Sequence, residues 1–161
     1  MEKAHRLYYE SLEIEKRLGN QRHVASILHE LGRLAQNQGE AEEARRLYVE
    51  SLEIESRLGD QRGVASTLHN LAVLAQNQGK MEEARRLYDD SLEINKTLGY
   101  QSGVASNLFQ LGRLAEDEGD KAEAARLFRE SLSILERLRS PDAEIARRSL
   151  ARVEGRDVVS D

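Results

Sequence analysis

From Val24 to Gln38 the apolar residues Val24, Ile27, Leu28, Leu31, Leu34 and Ala35 fall on one side of a 3.6-residue wheel, which predicts an amphipathic helix. From Ala41 to Leu58 a second stripe runs through Ala44, Leu47, Tyr48, Ser51, Ile54 and Leu58, with Leu52 at its edge. The phase of the pattern changes between the two, as expected of an antiparallel helix pair, here a leading and a trailing helix. Gly39 separates them and Gly59 follows the second, where glycine alone takes a left-handed cap without steric penalty. Gly19, Gly79, Gly99 and Gly119 repeat that punctuation. The outward positions pair Glu42 with Arg46 and Glu53 with Arg57 at i,i+4, the pattern of a solvated face.

The pattern repeats every 40 residues or so. AHRLYYESLEIEKRLGNQRHVAS from Ala4 returns as ARRLYVESLEIESRLGDQRGVAS from Ala44 and as ARRLYDDSLEINKTLGYQSGVAS from Ala84; a fourth copy opens as AARLFRESLSILERL from Ala124 and then diverges. The units read as 21–58, 61–98 and 101–138, in a single domain of about eight helices. Residues 1–18 read as a trailing helix without its leading partner. Its stripe of Leu7, Tyr8, Leu12, Ile14 and Leu18 is expected to cover the first leading helix on one side and to stay open on the other. Such an edge suits a piece of a longer array, or a surface that docks another molecule or a second copy. Ser140-Pro141-Asp142 reads as an N-cap followed by proline at the first helical position of a capping helix over 140–154, with Ala146, Leu150 and Val153 inward and Glu144, Arg147, Arg148 and Arg152 in solvent. Residues 155–161 have no periodicity and read as a flexible tail.

Composition narrows the function. One proline and 4% aromatic residues in a chain rich in Ala, Glu, Arg and Leu support an all-α fold. Twenty-four basic against 29 acidic residues, net −5, disfavour a nucleic-acid partner. The absence of cysteine excludes disulfides, thiolate metal sites and a cysteine nucleophile. The polar start MEKAHRLYYE and the lack of any run of about 20 apolar residues point away from a membrane and toward a cytoplasmic location. No phosphate loop, nucleophile elbow or HExxH motif occurs, so neither an enzyme nor a cofactor is expected. His29 and His69 occupy equivalent places on neighbouring leading helices, but two ligands on helices about 10 Å apart do not make a metal site.

These residues resemble the tetratricopeptide repeat in a lengthened form. In the first unit Leu28, Leu31, Gly32, Ala35, Ala44, Tyr48 and Ser51 stand at the family's pattern positions. Leu68, Leu71, Ala72, Ala75, Ala84, Tyr88 and Ser91 do so in the second, and Leu108, Leu111, Gly112, Ala115, Ala124, Phe128 and Ser131 in the third. The proline that commonly closes a standard repeat is absent and Leu-Gly takes its place, as in kinesin light chain, spindle-orientation adaptors and the arrays of bacterial or archaeal regulators. The resemblance implies a right-handed α-solenoid of antiparallel helix pairs whose leading helices line a concave wall, and a role in protein–protein interaction.

The wheel leaves one flank of each leading helix opposite the core: Ser26, His29, Glu30, Arg33 and Asn37; Ser66, His69, Asn70, Val73 and Asn77; Ser106, Phe109, Gln110, Arg113 and Asp117. Amides, imidazoles, isolated arginines and Phe109 replace the dense Glu/Arg pairing of the other face. By the resemblance these fifteen residues face a groove, with Asn70 where such repeats hold a peptide backbone. The family's carboxylate clamp would fall on His29, Arg33, Asn70, Phe109 and Arg113. Its two lysines are replaced by His29 and Phe109, which argues against a chaperone-tail receptor. The expected partner is an extended, partly acidic peptide: Asn70 and Gln110 bond its backbone, Arg33 and Arg113 its acidic groups, and Phe109 with Val73 an apolar side chain. The competing expectation is a structural scaffold, self-assembling or part of a larger solenoid, that acts through its open N-terminal end.

Overall fold

The computed structural model describes residues 2–155, and the regular structure among them consists of eight helices. These are α1 (Glu2–Leu18), α2 (Gln21–Asn37), α3 (Ala41–Leu58), α4 (Gln61–Asn77), α5 (Met81–Thr97), α6 (Gln101–Asp117), α7 (Lys121–Arg137) and α8 (Ala143–Val153). The tail expected over 155–161 lies, except for Gly155, outside the described residues. The chain divides into two compact units, one ending at Lys80 with α1–α4 and one beginning at Met81 with α5–α8.

In the first unit the α2–α3 pair is set by one missing side chain. A Cβ on Gly32 would come within 2.7 Å of the Tyr48 ring, so glycine there lets the two helices close on a fully buried aromatic. The phenol hydroxyl donates to Gln36 Oε1 at 2.8 Å, so the ring is buried without leaving its polar end unpaired. Ser51 adds a second tie, its hydroxyl 2.8 Å from the Ala25 carbonyl. On the other side α1 packs against α2, with Leu12 buried and Tyr9 donating to Glu43.

The second unit repeats the joint on α6 and α7. A Cβ on Gly112 would meet the Phe128 ring at 2.7 Å, and Ser131 donates to the Ala105 carbonyl at 2.8 Å. α8 then covers α7, burying Ala146, Leu150 and Val153, and Arg152 forks onto both oxygens of Glu116 on α6 at 2.8 Å. Of the positions assigned to the repeat pattern from sequence, all are buried except Leu68, which is half-buried.

The turns follow the glycines. Gly19, Gly39, Gly59, Gly79, Gly99 and Gly119 all have positive φ, which a side chain would oppose. Arg139 stands where the earlier units carry glycine after Leu, and it is held in the same region at φ 52°.

Several local expectations need correction. Leu58 is 42% exposed rather than part of the core stripe, and Leu18, Leu98 and Leu138 at the same register are exposed as well. Helix α3 ends there, and Leu58 lines an open cleft. Arg46 pairs with Glu43, at 2.6 Å, and more loosely with Glu50, not with Glu42; Arg57 Nε donates to the Glu53 carbonyl rather than to its carboxylate. The cap over 140–154 begins at Ala143, because Ser140 and Pro141 form a turn in which the Asp142 N–H donates to Ser140 Oγ at 3.2 Å. On α1, Leu7 and Ile14 are exposed.

Candidate functional site

None of the fifteen flank residues is buried: all are exposed or half-buried on α2, α4 and α6. The structure gathers some of them into two clefts, one in each unit, built from the same repeat positions 80 residues apart in the numbering of the sequence.

The first cleft holds about 370 Å³ between the start of α2, the end of α3 and the start of α4. Ser26, His29 and Glu30 line it from α2, and Ser66 lines it from α4. Arg22, Ala25, Glu55, Leu58, Asp60, Arg62 and Gly63 complete the wall. The second cleft holds about 360 Å³ at the corresponding place in α6, α7 and the segment entering α8. There Ala105, Ser106 and Phe109 stand where Ala25, Ser26 and His29 stand in the first, and Leu135, Leu138 and Ser140 take the places of Glu55, Leu58 and Asp60. Ile145 adds an exposed aliphatic side chain.

The ring at the wall of each cleft leans on the buried ring beneath it. His29 meets Tyr48 edge-on at 5.6 Å between centroids, and Phe109 is tilted on Phe128 at 5.3 Å. In the first unit this ring is also the centre of a polar chain. Asn70 Nδ2 donates to His29 Nε2 at 3.1 Å, so the neutral ring carries its proton on Nδ1 and donates to Thr67 Oγ1 at 2.9 Å. Burial holds the His29 pKa below its usual value and Arg33 adds to the depression, while Glu30 opposes it.

Glu55 is the residue that sequence reading missed. It is 5% exposed and its Oε1 lies 3.0 Å from Ser51 Oγ, whereas its buried Oε2 has no hydrogen-bond partner. Burial pushes this carboxyl above the ordinary range and the Asp60 charge adds to the rise; the Thr67 and Ser51 hydroxyls pull against it. The signal was available in the spacing, because Glu55 follows Ser51 by four residues and shares its register with Leu135.

The remaining flank residues lie beside the clefts rather than in them. Arg33 Nη1 is 3.5 Å from Glu30 Oε1 and Arg113 Nη1 is 3.4 Å from Gln110 Oε1, with both arginines exposed. His69, Val73, Asn37, Asn77 and Asp117 line neither cleft. Asn70 is tied to His29 and keeps its carbonyl oxygen and second N–H for other partners. Among the described residues no group of three or more His, Cys, Asp or Glu could hold a metal ion, and no helix is long and apolar enough to cross a membrane.

Each unit is thus built from antiparallel helix pairs of a repeat protein, with small residues at the crossing and a variable outward flank. The chain belongs to the tetratricopeptide-repeat family, whose models match residues 24–61 and 63–137. The family's general role, mediating contacts between proteins, comes with that membership. Among solved structures, BtubC (BKLC) from P. vanneervenii is similar at a TM-score of 0.87 and 25% identity, over 96% of this chain and 65% of that one. The kinesin light chain nearly identical TPR-like repeats of Podosopora anserina align at 0.75 and 20% identity, over 96% and 77%. The apo form of RapI aligns at 0.79 and 14% identity, over 94% and 63%. The chain therefore spans slightly less than two thirds of the length of BtubC and of RapI. A comparison with curated proteins finds no match.

Proposed function

We propose that the chain is a peptide-binding adaptor, in which the outward flanks of α2 and α4 in the first unit and of α6 in the second each engage part of an extended, partly acidic segment. The observation that carries this reading is the pair of same-register clefts on those flanks, walled by His29 in one unit and Phe109 in the other. In the second unit Phe109, Leu135 and Leu138 receive an apolar ligand side chain, and Ser102 and Ser106 bond the polar atoms at its edge. Gln110 and the unused polar atoms of Asn70 hold ligand backbone, since an amide donates and accepts at once. Arg33 and Arg113, lightly held by Glu30 and Gln110, turn to acidic ligand groups with charge-assisted bonds. Val73 adds apolar contact, and Ser26, Ser66, the amides Asn37 and Asn77, and Asp117 form the polar rim.

Titration of one peptide library against the wild type and against an Asn70→Ala, Arg113→Glu variant tests the reading. Affinities on the order of micromolar for the wild type, weakened about tenfold or more in the variant, are expected. Equal binding by both chains rejects it.

A further inference from the structure

The two clefts share a register and differ in what lies beneath them. A leucine forms the floor of the second. Glu55 forms that of the first, more than nine-tenths buried, with one oxygen unpartnered. The single hydrogen of Ser51 cannot serve both the Ala25 carbonyl at 2.8 Å and Glu55 Oε1 at 3.0 Å, and in the second unit the equivalent Ser131 donates to the carbonyl. A buried carboxylate that only the Ser51 and Thr67 hydroxyls compensate is costly unless a cation meets it.

The preceding repeat carries the same acid. Glu15 occupies the register of Glu55 one repeat earlier and likewise has a buried Oε2 without a hydrogen-bond partner; His23 Nδ1, which accepts from the Asn20 amide, stands 3.3 Å from it. At the position of His23 the next repeat carries Gly63. A Cβ there would lie 3.0 Å from both the Glu55 carboxyl carbon and Asp60 Oδ2, so the glycine is what lets the two acids close on this turn with no side chain between them. In the second unit the acid itself is gone: Asn95 takes the register, beside Ser91, and Leu135 follows it.

We propose that the first cleft is a subsite for a lysine-type alkylammonium side chain of a partner peptide, whose N–H donates to Glu55 Oε2 while its aliphatic stem lies along Leu58 and Ala25. The proposal rests on the peptide reading above and assigns the chemistry of one of its two clefts. Charge agrees with it: Glu30, Glu55 and Asp60 line the space against Arg22 and Arg62, and both arginines are exposed. One open acceptor favours the compact ammonium over guanidinium, whose planar fork suits two oxygens together. The second cleft, with Phe109, Leu135 and Leu138 in the same register, takes an apolar side chain instead. The two units therefore read two different ligand residues.

The test uses the full chain and two small probes, n-butylammonium and its uncharged analogue n-butanol, followed by NMR at the Gly63 amide and the Glu55 carboxyl carbon. The expected result is a saturable shift at both positions with butylammonium, with a dissociation constant on the order of millimolar, and at least about tenfold weaker binding of butanol. Glu55→Gln abolishes the response. Equal responses to both probes, persistence in Glu55→Gln, or no response to butylammonium overturns the proposal. If butylammonium fails while library peptides still distinguish the Asn70→Ala, Arg113→Glu variant, the ammonium assignment falls and the peptide reading stands. A specific butylammonium response with peptides bound equally by both chains removes the peptide reading and keeps the ammonium subsite.

Discussion

Glu55 and Leu135 occupy the same repeat position, under clefts of nearly equal volume, and only one of them is satisfied where it sits. The scaffolds around them are alike: a glycine against a buried ring, a serine bonded to a carbonyl of the preceding helix, and an exposed leucine at the end of the trailing helix. Repetition therefore preserves the joint between helices and leaves the cleft wall to vary. A chain that keeps its packing positions and changes its outward ones can hold separate chemistries on one architecture.

Transplanting one floor into the other cleft is the harshest test of that comparison. Leu135→Glu buries an acid among Phe109, Leu138 and Ala105, with no counterpart of Thr67 beside it, and a loss of about 3 kcal/mol in urea unfolding is expected. The shared joint comes next. Gly32→Val and Gly112→Val each drive a branched side chain into a buried ring, and each is expected to cost about 2 kcal/mol. A large loss in one unit with none in the other would show that the joints are not equivalent.

Relieving Glu55 has a smaller effect of opposite sign. Its carboxyl is raised above the ordinary value of 4.5, so the native state binds the proton more tightly than the unfolded chain, and stability falls as pH rises from 4.5 through the native pKa. Glu55→Gln removes that loss. Its advantage over the wild type is expected to be near zero at pH 4 and to grow as the pH is raised to 8, read from denaturation at each pH. His29 works the other way: its depressed pKa makes the native chain lose stability as pH falls below 6.5, so the two residues are separable by their pH ranges. The smallest effect concerns the turn. Arg139→Gly relieves a left-handed arginine where earlier repeats use glycine, and a gain of up to about 1 kcal/mol in the same assay is expected.

Much of the helical framework was legible because helix pairs announce themselves twice, through the stripe and through the glycine that ends each helix. The boundaries of α3 and the buried set Leu28, Leu31, Gly32, Tyr48 and Ser51 follow from that alone. The first turn of α8 was misplaced because Ser140 and Pro141 satisfy a turn as readily as a helix start. Glu55 and Leu58 were exchanged in their environments for a physical reason. A wheel ranks residues by polarity, whereas the end of α3 buries the residue that follows Ser51 by one helical turn and leaves the last leucine exposed. The flank residues could be named from sequence, but which of them border a cleft depends on α3 and α4 meeting α2, which no single-helix pattern contains.

The most direct test of the adaptor account maps a bound ligand. A peptide selected from a random library on the full chain is titrated into labelled protein and the shifted amides are recorded. The account predicts shifts at Ser26, His29 and Ser66 in the first unit and at Ser106 and Phe109 in the second; shifts confined to the Glu43, Arg46 and Glu50 face of α3 would contradict it.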